Sequence, residues 1–359
     1  MQSPSKYSVV IPIHDEEATL PELGRQLTGV IDELDGAAEV ILVDDGSRDR
    51  SYELIQYLCA ADPRFKALRL SRNFGHQIAI TAGLDVARGQ AVIVMDADLQ
   101  HPPEVIHQLI ERWEEGYQVV YGVMSSRNGE SRLKGMTAKL FYRFLRRMAR
   151  INMPAAAGDF RLIDRQAVEA FNSMRESNRY VRGMFAWIGF RQIGITYSGP
   201  SRYAGQSKYT YSKMLRLAID AVLSFSQEPL RVVLKLGFAA SGMAFVFGLV
   251  TIATKIGGVF AVPGYVTIVF AVTFIGGVQL VVLGVIGEYL AQVFEEVKGR
   301  PLYFVAQSEG IAFRSDGRRD QVPAAVREPL PFPQLSGTNA TSEPLPLESA
   351  DDTAPARKL

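Results

Sequence analysis

The chain has 359 residues, of which 47% are hydrophobic and 21% are charged, with a formal net charge of +1 and a single cysteine. One cysteine excludes an internal disulfide framework and a zinc site built from several cysteines. A net charge near zero argues against a protein that binds nucleic acid through a strong overall positive field. The length allows one large domain or two of moderate size.

The amino-terminal part of the chain alternates between short apolar runs rich in β-branched residues and longer stretches with helical periodicity. The runs predict strands at residues 7–13, 39–44 and 91–96, and the stretches predict helices at residues 20–34, 52–61 and 77–87. This alternation favours an α/β fold in which helices cover a mostly parallel sheet. No Gly-x-Gly-x-x-Gly loop or Walker-type lysine follows a strand, so neither a dinucleotide-binding fold nor an ATPase is indicated.

Acidic residues follow these predicted strands, at the edge where parallel sheets bind their ligands. Asp96 and Asp98 stand one residue apart, and two such carboxylates can share a divalent cation with the oxygens of a diphosphate. The other interpretation of this pair is a strand-end turn that caps the next helix. Asp44 and Asp45 can bind ribose hydroxyls or a base edge, and residues 71–77 add cationic and amide donors. Together these segments predict a pocket for a nucleotide diphosphate.

Two long stretches near the carboxyl-terminal end carry almost no charge. They predict transmembrane helices at residues 231–254 and 264–292, joined by a turn that contains glycine and proline. Basic residues flank the outer ends of both spans, so the positive-inside bias places both termini in the cytoplasm. The amino terminus lacks the apolar core of a cleavable signal peptide, and we expect everything before the first span to be cytoplasmic. The alternative is a buried helical hairpin in a soluble protein.

The remaining segments complete a domain plan. We expect a soluble domain at residues 1–210, a juxtamembrane amphipathic helix at 211–230, a cytoplasmic juxtamembrane segment at 293–307 and a disordered tail at 308–359. Residues 132–150 form a basic amphipathic pattern, typical either of an interfacial helix that attracts a lipid phosphate or of a core-facing helix with a solvated cationic face. Glycines in the spans would permit close packing in a homo-oligomer.

Six motifs carry a resemblance to a known family. They are VIPIHDEE at 10–17, VDDGS at 43–47, RNFGHQ at 72–77, MDADLQHPPE at 95–104, GDFR at 158–161 and RYAGQSKY at 202–209. In this order they resemble the polyprenyl-phosphate glycosyltransferases, in particular the bactoprenol glucosyltransferase branch of the dolichol-phosphate-mannose-synthase-like family. The resemblance covers about residues 7–300. Asp15 departs from the family pattern, which usually has Asn there, so the contact to the nucleotide base is in question.

The resemblance implies a GT-A fold for residues 1–210 and a defined reaction. The reaction is the inverting, metal-dependent transfer of a hexose, glucose from UDP-glucose, to undecaprenyl phosphate at the cytoplasmic face of the inner membrane. It implies Mg²⁺ or Mn²⁺ as cofactor, and a nucleotide sugar, a polyprenyl phosphate and membrane lipids as partners, but no nucleic acid. A lipid monophosphate is largely dianionic at neutral pH because its second pKa is about 6, so no strong general base is needed. We expect one in-line displacement, giving a lipid-linked sugar for cell-envelope glycans.

The resemblance also implies roles for individual residues. It assigns the donor nucleotide to Pro12, His14, Glu16, Asp44, Asp45, Asp96, Gln100 and Ser207, and the metal ion to Asp96 and Asp98. It assigns catalysis to Asp159, Arg202 and Lys208, the two cations stabilising the departing diphosphate. It assigns the acceptor phosphate to Arg127, Arg132 and Lys134. For Asp159, the alternative is a structural salt bridge to Arg161 or Arg165.

Three other functions remain open at the level of sequence. A polyprenyl-phosphate mannosyltransferase would use GDP-mannose, and no motif distinguishes the two sugars. A processive polysaccharide synthase would be expected to have more membrane helices and a Gln-x-x-Arg-Trp motif. In this sequence three residues, not two, separate Gln108 from Arg112. A non-catalytic membrane subunit or lipid transporter would carry a vestigial pocket. An assay with labelled sugar nucleotides and undecaprenyl phosphate separates these possibilities.

Overall fold

An eight-stranded sheet lies at the centre of the described part of the chain. The computed structural model describes residues 5–124, 157–198, 228–257 and 264–311. The strands are β1 (Tyr7–Ile13), β2 (Ala38–Asp44), β3 (Phe65–Leu70), β4 (Ala91–Val94), β5 (Val119–Met124), β6 (Ala157–Asp164), β7 (Gln192–Tyr197) and β8 (Val305–Glu309). They lie side by side in the order β7-β5-β6-β4-β1-β2-β3-β8.

The middle of the sheet is parallel. β1 pairs in parallel with β2 and β4, and β2 pairs in parallel with β3, so the carboxyl ends of these strands meet at one edge. β6 and β8 run antiparallel to their neighbours, while β5 and β7 pair in parallel. Pro12 lies within the central strand β1 but beyond Val10, where the pairing with β4 ends. Its missing N–H group therefore removes no hydrogen bond to β4.

Helices cover both faces of the sheet. The covering helices are α1 (Leu20–Glu33), α2 (Ser51–Ala61), α3 (His76–Val86), α4 (Val105–Glu114), α5 (Arg165–Ser173) and α6 (Val181–Trp187). Two longer helices, α7 (Glu228–Ile256) and α8 (Tyr265–Lys298), come after them in the chain. One apolar cluster joins α1, α2 and α4 to residues such as Val9 and Ile11, and a second joins α3, α5 and α6 to residues such as Val10. Successive residues of β1 thus point to opposite faces, and both faces are buried.

The predicted α/β fold is confirmed. Helix α1 begins at Leu20 and helix α3 ends at Val86, within one residue of the predicted ends, and the predicted strand over residues 7–13 is β1. The third predicted strand is shorter than expected, because β4 ends at Val94 and the chain has left the sheet at Asp96. Strands β3, β5, β6, β7 and β8 were not predicted.

Two long helices form the hairpin that the sequence indicated. α7 and α8 extend beyond the predicted spans, since α7 already includes residues 228–230 and α8 continues through residues 293–298. Among the described residues, Phe274–Lys298 is long and apolar enough to cross a membrane. Large apolar side chains of α8 are exposed, such as Leu280 at 72% and Leu290 at 66%. A bilayer-spanning α7 stays a prediction.

The chain returns from the hairpin to the sheet, which corrects the predicted domain plan. β8 pairs antiparallel with β3 and lies in residues assigned to a juxtamembrane segment and to the start of a disordered tail. The sheet is therefore not confined to residues 1–210, and the tail cannot begin before residue 310. The strand was missed because its sequence, Val-Ala-Gln-Ser-Glu, has little apolar character and is typical of a sheet edge.

Candidate functional site

The loop after β2 forms one side of the site. Asp44 is fully buried, and its Oδ1 accepts a hydrogen bond of 3.0 Å from the amide of Ser47. Its Oδ2 lies 3.1 Å from Arg69 Nε, an ion-pair distance without hydrogen-bond geometry, and has no hydrogen-bond partner. A buried carboxylate oxygen without such a partner is costly, so Asp44 has an acceptor available for a ligand. The guanidinium of Arg69 also lies 4.3 Å from the centre of the Tyr52 ring.

Asp45 ties this loop to the segment before α3. Its two carboxylate oxygens accept hydrogen bonds from the amides of Phe74 at 2.7 Å and Gly75 at 2.8 Å. Burial raises the pKa of Asp45, although these two amides act in the opposite direction. His14 closes the arrangement, because its Nδ1 lies 3.0 Å from the Asp45 carbonyl and its Nε2 lies 2.9 Å from Asn73 Nδ2. Three loops from three strands are thus held together by hydrogen bonds.

Pro12 and Glu16 lie beside these loops, on either side of His14. Pro12 is buried at the end of β1, next to Val43 of β2. Glu16 is held by its backbone, whose amide donates to Ser51 Oγ at 2.8 Å, while its carboxylate accepts from Thr19 Oγ1 at 3.3 Å. The structure therefore brings the described residues predicted for the nucleotide to one end of the parallel strands.

Gly46 allows the two loops to approach each other. Its φ is +68°, and a Cβ atom there would lie 2.6 Å from the carbonyl carbon of Arg72. We expect Gly46→Ala to lower the free energy of unfolding by about 2 kcal/mol, from the left-handed backbone and the overlap together. Chemical denaturation in detergent measures this loss. Gly29→Ala is the matched control, because no atom lies within 4 Å of the corresponding Cβ and helix α1 should gain up to about 1 kcal/mol.

The Asp96–Asp98 pair follows β4 and lies between two histidines. Asp96 Oδ2 is 3.3 Å from His101 Nε2, while its Oδ1 is 3.4 Å from His76 Nε2 and has no hydrogen-bond partner. Asp98 accepts from the amide of Gln100 at 3.1 Å and from the side-chain amide of the same residue. Leu99, which lies between Asp98 and Gln100, has a φ of +58°, a conformation unusual for leucine. The backbone is therefore strained at the point where the two carboxylates are presented.

A buried polar pair supports Asp96 from behind. His101 is 8% exposed, its Nδ1 lies 2.6 Å from the Tyr197 hydroxyl, and its ring stacks on Phe160 with 5.0 Å between centres. Burial raises the pKa of Tyr197 to about 12, so the hydroxyl keeps its proton and can donate a hydrogen bond to Nδ1. The Nε2–H of His101 is then directed at Asp96 Oδ2. This leaves Oδ1 of Asp96 as the oxygen available to a ligand.

Asp159 belongs to a buried ionic cluster rather than standing alone. Both of its oxygens accept hydrogen bonds of 2.8 Å from Arg182, and Arg161 and His76 lie 3.7 and 3.6 Å away. Burial opposes the charge of Asp159, yet the bonds to Arg182 and His76 outweigh it and hold its pKa well below the usual value. Burial lowers the pKa of Arg161 to about 10, which still leaves it charged at neutral pH. The predicted salt bridge to Arg161 is present at 3.7 Å, whereas Arg165 binds the carbonyl of Gly89.

His76 connects this cluster to the Asp96–Asp98 pair. It begins helix α3, and its Nε2 lies within 3.6 Å of both Asp96 and Asp159. Burial disfavours its charged form, but the hydrogen bond with Asp159 and the charge of Asp96 outweigh burial and raise its pKa. The site thus contains the carboxylates of Asp96, Asp98 and Asp159, with Arg161, Arg182 and His76 grouped around Asp159.

Some predicted residues lie outside the described part of the chain. These are Arg127, Arg132, Lys134, Arg202, Ser207 and Lys208. Conversely, sequence reasoning did not predict site roles for His76, His101, Arg182 or Tyr197. His76 and His101 lie within the motifs at 72–77 and 95–104, and this position could have indicated a role in the site. No local signal was available for Tyr197, which is 96 positions from His101 along the chain.

The sequence is similar to known proteins over most of its length. Residues 8–171 match Glycosyl transferase family 2, and residues 228–293 match the GtrB C-terminal hairpin. The chain is 42% identical over 306 residues to the uncharacterized glycosyltransferase YkcC of Bacillus subtilis, covering 85% of this chain and 95% of that protein. It is 36% identical over 305 residues to the SfII prophage-derived bactoprenol glucosyl transferase of Shigella flexneri, covering 84% and 98%.

Similarity to solved structures is more distant. Glucosyl-3-phosphoglycerate synthase from Mycobacterium tuberculosis aligns with a TM-score of 0.44 and 18% identity, covering 62% of this chain and 80% of that one.

The α/β sheet, with its acidic residues at the ends of parallel strands, is the GT-A fold of a glycosyltransferase. The chain belongs to Glycosyl transferase family 2, in the branch that carries the GtrB C-terminal hairpin and includes proteins named bactoprenol glucosyl transferase.

Proposed function

We propose that this glycosyltransferase transfers glucose from UDP-glucose to undecaprenyl phosphate, with inversion at the anomeric carbon. The observation that carries the proposal is the environment of Asp96, whose Oδ2 is held by His101 while Oδ1 has no hydrogen-bond partner. This carboxylate shares an edge of the sheet with Asp44 and Asp45, which suit a ribose and a base. The hairpin and the relatives named bactoprenol glucosyl transferase support a lipid acceptor and glucose.

The donor nucleotide would lie against the loops after β1 and β2. Asp44 offers its Oδ2 to a ribose hydroxyl, while His14 and the 71–75 loop border the space for the base. Asp15, at the departure from the family pattern, is occupied by the amide of Arg48, which donates to its Oδ1 at 2.8 Å. The side chain of Asp15 therefore shapes the loop after β2, and we place base recognition on its neighbours.

The Asp96–Asp98 pair fits a divalent ion, Mg²⁺ or Mn²⁺. The Oδ1 of Asp96, which has no hydrogen-bond partner, is a hard oxygen ligand of the kind these ions prefer. In the described residues, no group of three or more His, Cys, Asp and Glu side chains is arranged to hold a metal, so diphosphate oxygens and water would complete the coordination. When bound, such an ion neutralises the charge that develops on the leaving diphosphate. Gln100 holds Asp98 in place.

Tyr197 is expected to influence metal affinity through His101. Tyr197→Phe removes the hydroxyl that fixes the proton on His101, and we expect Mn²⁺ to bind about three- to tenfold more weakly in the presence of UDP. Titration followed by electron paramagnetic resonance measures this affinity directly. Tyr57→Phe is the matched control, because the Tyr57 side chain is 72% exposed and should leave affinity unchanged. Equal affinity in the two variants would refute the supporting role of Tyr197.

The ionic cluster around Asp159 would stabilise charge rather than supply a base. The acceptor phosphate is already largely dianionic near pH 7, and a carboxylate with a strongly lowered pKa is a weak base. We therefore infer that Asp159 orients Arg182 and His76 beside the reaction centre. One oxygen of the acceptor phosphate forms a bond to the anomeric carbon as the bond from that carbon to the diphosphate oxygen breaks, and UDP leaves with both electrons of that bond.

The remaining predicted roles complete the proposal. Arg202, Ser207 and Lys208 would close over the diphosphate, and Arg127, Arg132 and Lys134 would bind the lipid phosphate. We place the enzyme in the inner membrane as a multi-pass protein, with the catalytic domain and both termini in the cytoplasm. The apolar helix over Phe274–Lys298 supports membrane insertion.

A donor panel tests the proposed reaction. The purified full-length protein is incubated with undecaprenyl phosphate and either UDP-glucose, UDP-galactose, UDP-N-acetylglucosamine or GDP-mannose, and the mass of the lipid product is determined. We expect the mass of a hexosyl lipid with UDP-glucose, dependent on added Mg²⁺ or Mn²⁺. A product from GDP-mannose alone would replace the glucose assignment, and no product with any donor would favour a transporter or scaffold.

A further inference from the structure

The segment that follows the hairpin contacts the loop that borders the donor site. Helix α8 ends at Lys298 with Gly299 in a left-handed conformation, and residues 302–311 then run along the edge of the catalytic sheet as the return segment. β8 lies within it and pairs with β3, whose last residue leads directly into the 71–75 loop. The return segment is therefore the only described neighbour of β3 on the side away from β2.

Tyr303 anchors the return segment in the core. Its side chain is 1% exposed, and its hydroxyl donates a 2.8 Å hydrogen bond to Asp85 Oδ2 near the end of α3. Arg175 binds the same carboxylate at 2.8 Å. Burial raises the pKa of Tyr303 well above its ordinary value, so the hydroxyl remains a donor. This anchor fixes the position of the next residue, Phe304.

Phe304 contacts the 71–75 loop in two ways. Its carbonyl accepts a 2.9 Å hydrogen bond from the amide of Ser71, which continues the strand pairing beyond β3. Its ring lies 6.5 Å from the ring of Phe74, at an angle of 45°. The guanidinium of Arg72 lies 4.1 Å from the centre of the same Phe74 ring. Phe74 is thus contacted by Arg72 from its own loop and by Phe304 from the return segment.

The position of Phe74 matters because its backbone joins the donor loops. The amides of Phe74 and Gly75 donate to the two oxygens of Asp45. The preceding residue, Asn73, contacts His14 through its side chain. A change in the Phe74 side chain position would move these amides relative to Asp45. The 45% exposure of Phe304 makes it a poor candidate for a purely core-filling role.

We propose that Phe304 is a positioning residue for the donor nucleotide, acting through Phe74 from beyond the membrane hairpin. The inference rests on the proposed use of a nucleotide sugar and adds that the donor site is completed by the return segment. Phe304 touches no reacting group, so its removal should affect donor binding more than the chemical step. The acceptor site should be unaffected.

The test compares Phe304→Ala with the full-length wild-type protein in nanodiscs. We expect UDP to bind about five- to tenfold more weakly by calorimetry, the loss expected when an aromatic contact is removed. KM for UDP-glucose should rise by the same factor, with kcat and KM for undecaprenyl phosphate changed less than about twofold. Phe304→Tyr keeps the ring and should bind UDP as the wild type does.

Glu309→Ala is the matched control from the other end of β8. Its carboxylate accepts from Gln56 at 2.7 Å, far along the strand from the 71–75 loop, so UDP affinity should not change. If Phe304→Ala binds UDP within twofold of wild type, or if Glu309→Ala weakens UDP binding equally, the positioning role is refuted. If Phe304→Ala does not fold, Phe304→Leu is judged by the same affinity criterion. Wild-type protein that does not bind UDP would refute the proposed use of UDP-glucose itself, and with it this inference.

Discussion

Replacing Asp96 with Asn should lower kcat for glucosyl transfer by about a thousandfold, because several kcal/mol of charge stabilisation would be lost at the diphosphate. The change keeps the size of the side chain and the contact with His101 but removes the negative charge of the carboxylate whose Oδ1 has no hydrogen-bond partner. Mass spectrometry of the lipid product measures the rate, and electron paramagnetic resonance with Mn²⁺ and UDP measures metal binding. Both signals should fall together.

Asp32→Asn is the matched control for this experiment. Asp32 is an exposed carboxylate that pairs with Arg64 at 2.5 Å, and exposed pairs contribute at most about 1 kcal/mol to stability. We expect wild-type activity from it. If Asp96→Asn retains activity within tenfold of wild type while binding Mn²⁺ normally, Asp96 is not the metal ligand.

Replacing Asp159 with Asn should reduce both activity and stability. The buried Arg161 would lose the carboxylate that compensates its charge, a change that typically costs about 3–5 kcal/mol, and the partly exposed Arg182 would lose both of its hydrogen bonds to that carboxylate. We expect transfer to slow by at least about a hundredfold, because the cations beside the reaction centre lose their orientation. Unfolding and product formation are measured on the same preparations. A variant that folds, binds donor and transfers at a near-normal rate would remove Asp159 from the catalytic machinery.

A second variant separates the two effects. Asp159→Asn combined with Arg182→Gln removes both members of the ion pair, so part of the lost stability should return while activity stays low. The pH dependence gives an independent check. A carboxylate with a lowered pKa stabilises the fold fully above its unfolded pKa of about 4, and this contribution disappears as the pH falls further. The stability difference between wild type and Asp159→Asn should therefore shrink below about pH 4.

The regular part of the fold was readable because its signals are local. β1 is an unbroken apolar run, and α1 places Leu20, Leu23 and Leu27 on one face at helical spacing. β3 was missed because Lys66 and Arg69 interrupt its short apolar pattern. β6 was missed because it contains the buried charges of Asp159 and Arg161, and the further cation that binds Asp159, Arg182, lies 23 positions away along the chain.

The same distinction applies to the candidate site. Motifs identified Asp44, Asp45, Asp96 and Asp98, since each directly follows a strand or lies near its end. They could not identify that Arg182 binds Asp159 or that Tyr197 supports His101, because these pairs meet only after the sheet has formed. Nor could they place Phe304 beside Phe74, since the hairpin separates the two in sequence.

The position of β8 in the chain, after both hairpin helices, also affects how the protein folds during synthesis. A polypeptide is synthesised from its amino terminus, so β3 emerges long before β8, with both hairpin helices in between. Until β8 arrives, the outer edge of β3 exposes unpaired N–H and C=O groups that can pair with another chain. The catalytic sheet is therefore finished only after the ribosome has delivered the hairpin, and nascent chains stalled before β8 would expose an edge prone to aggregation.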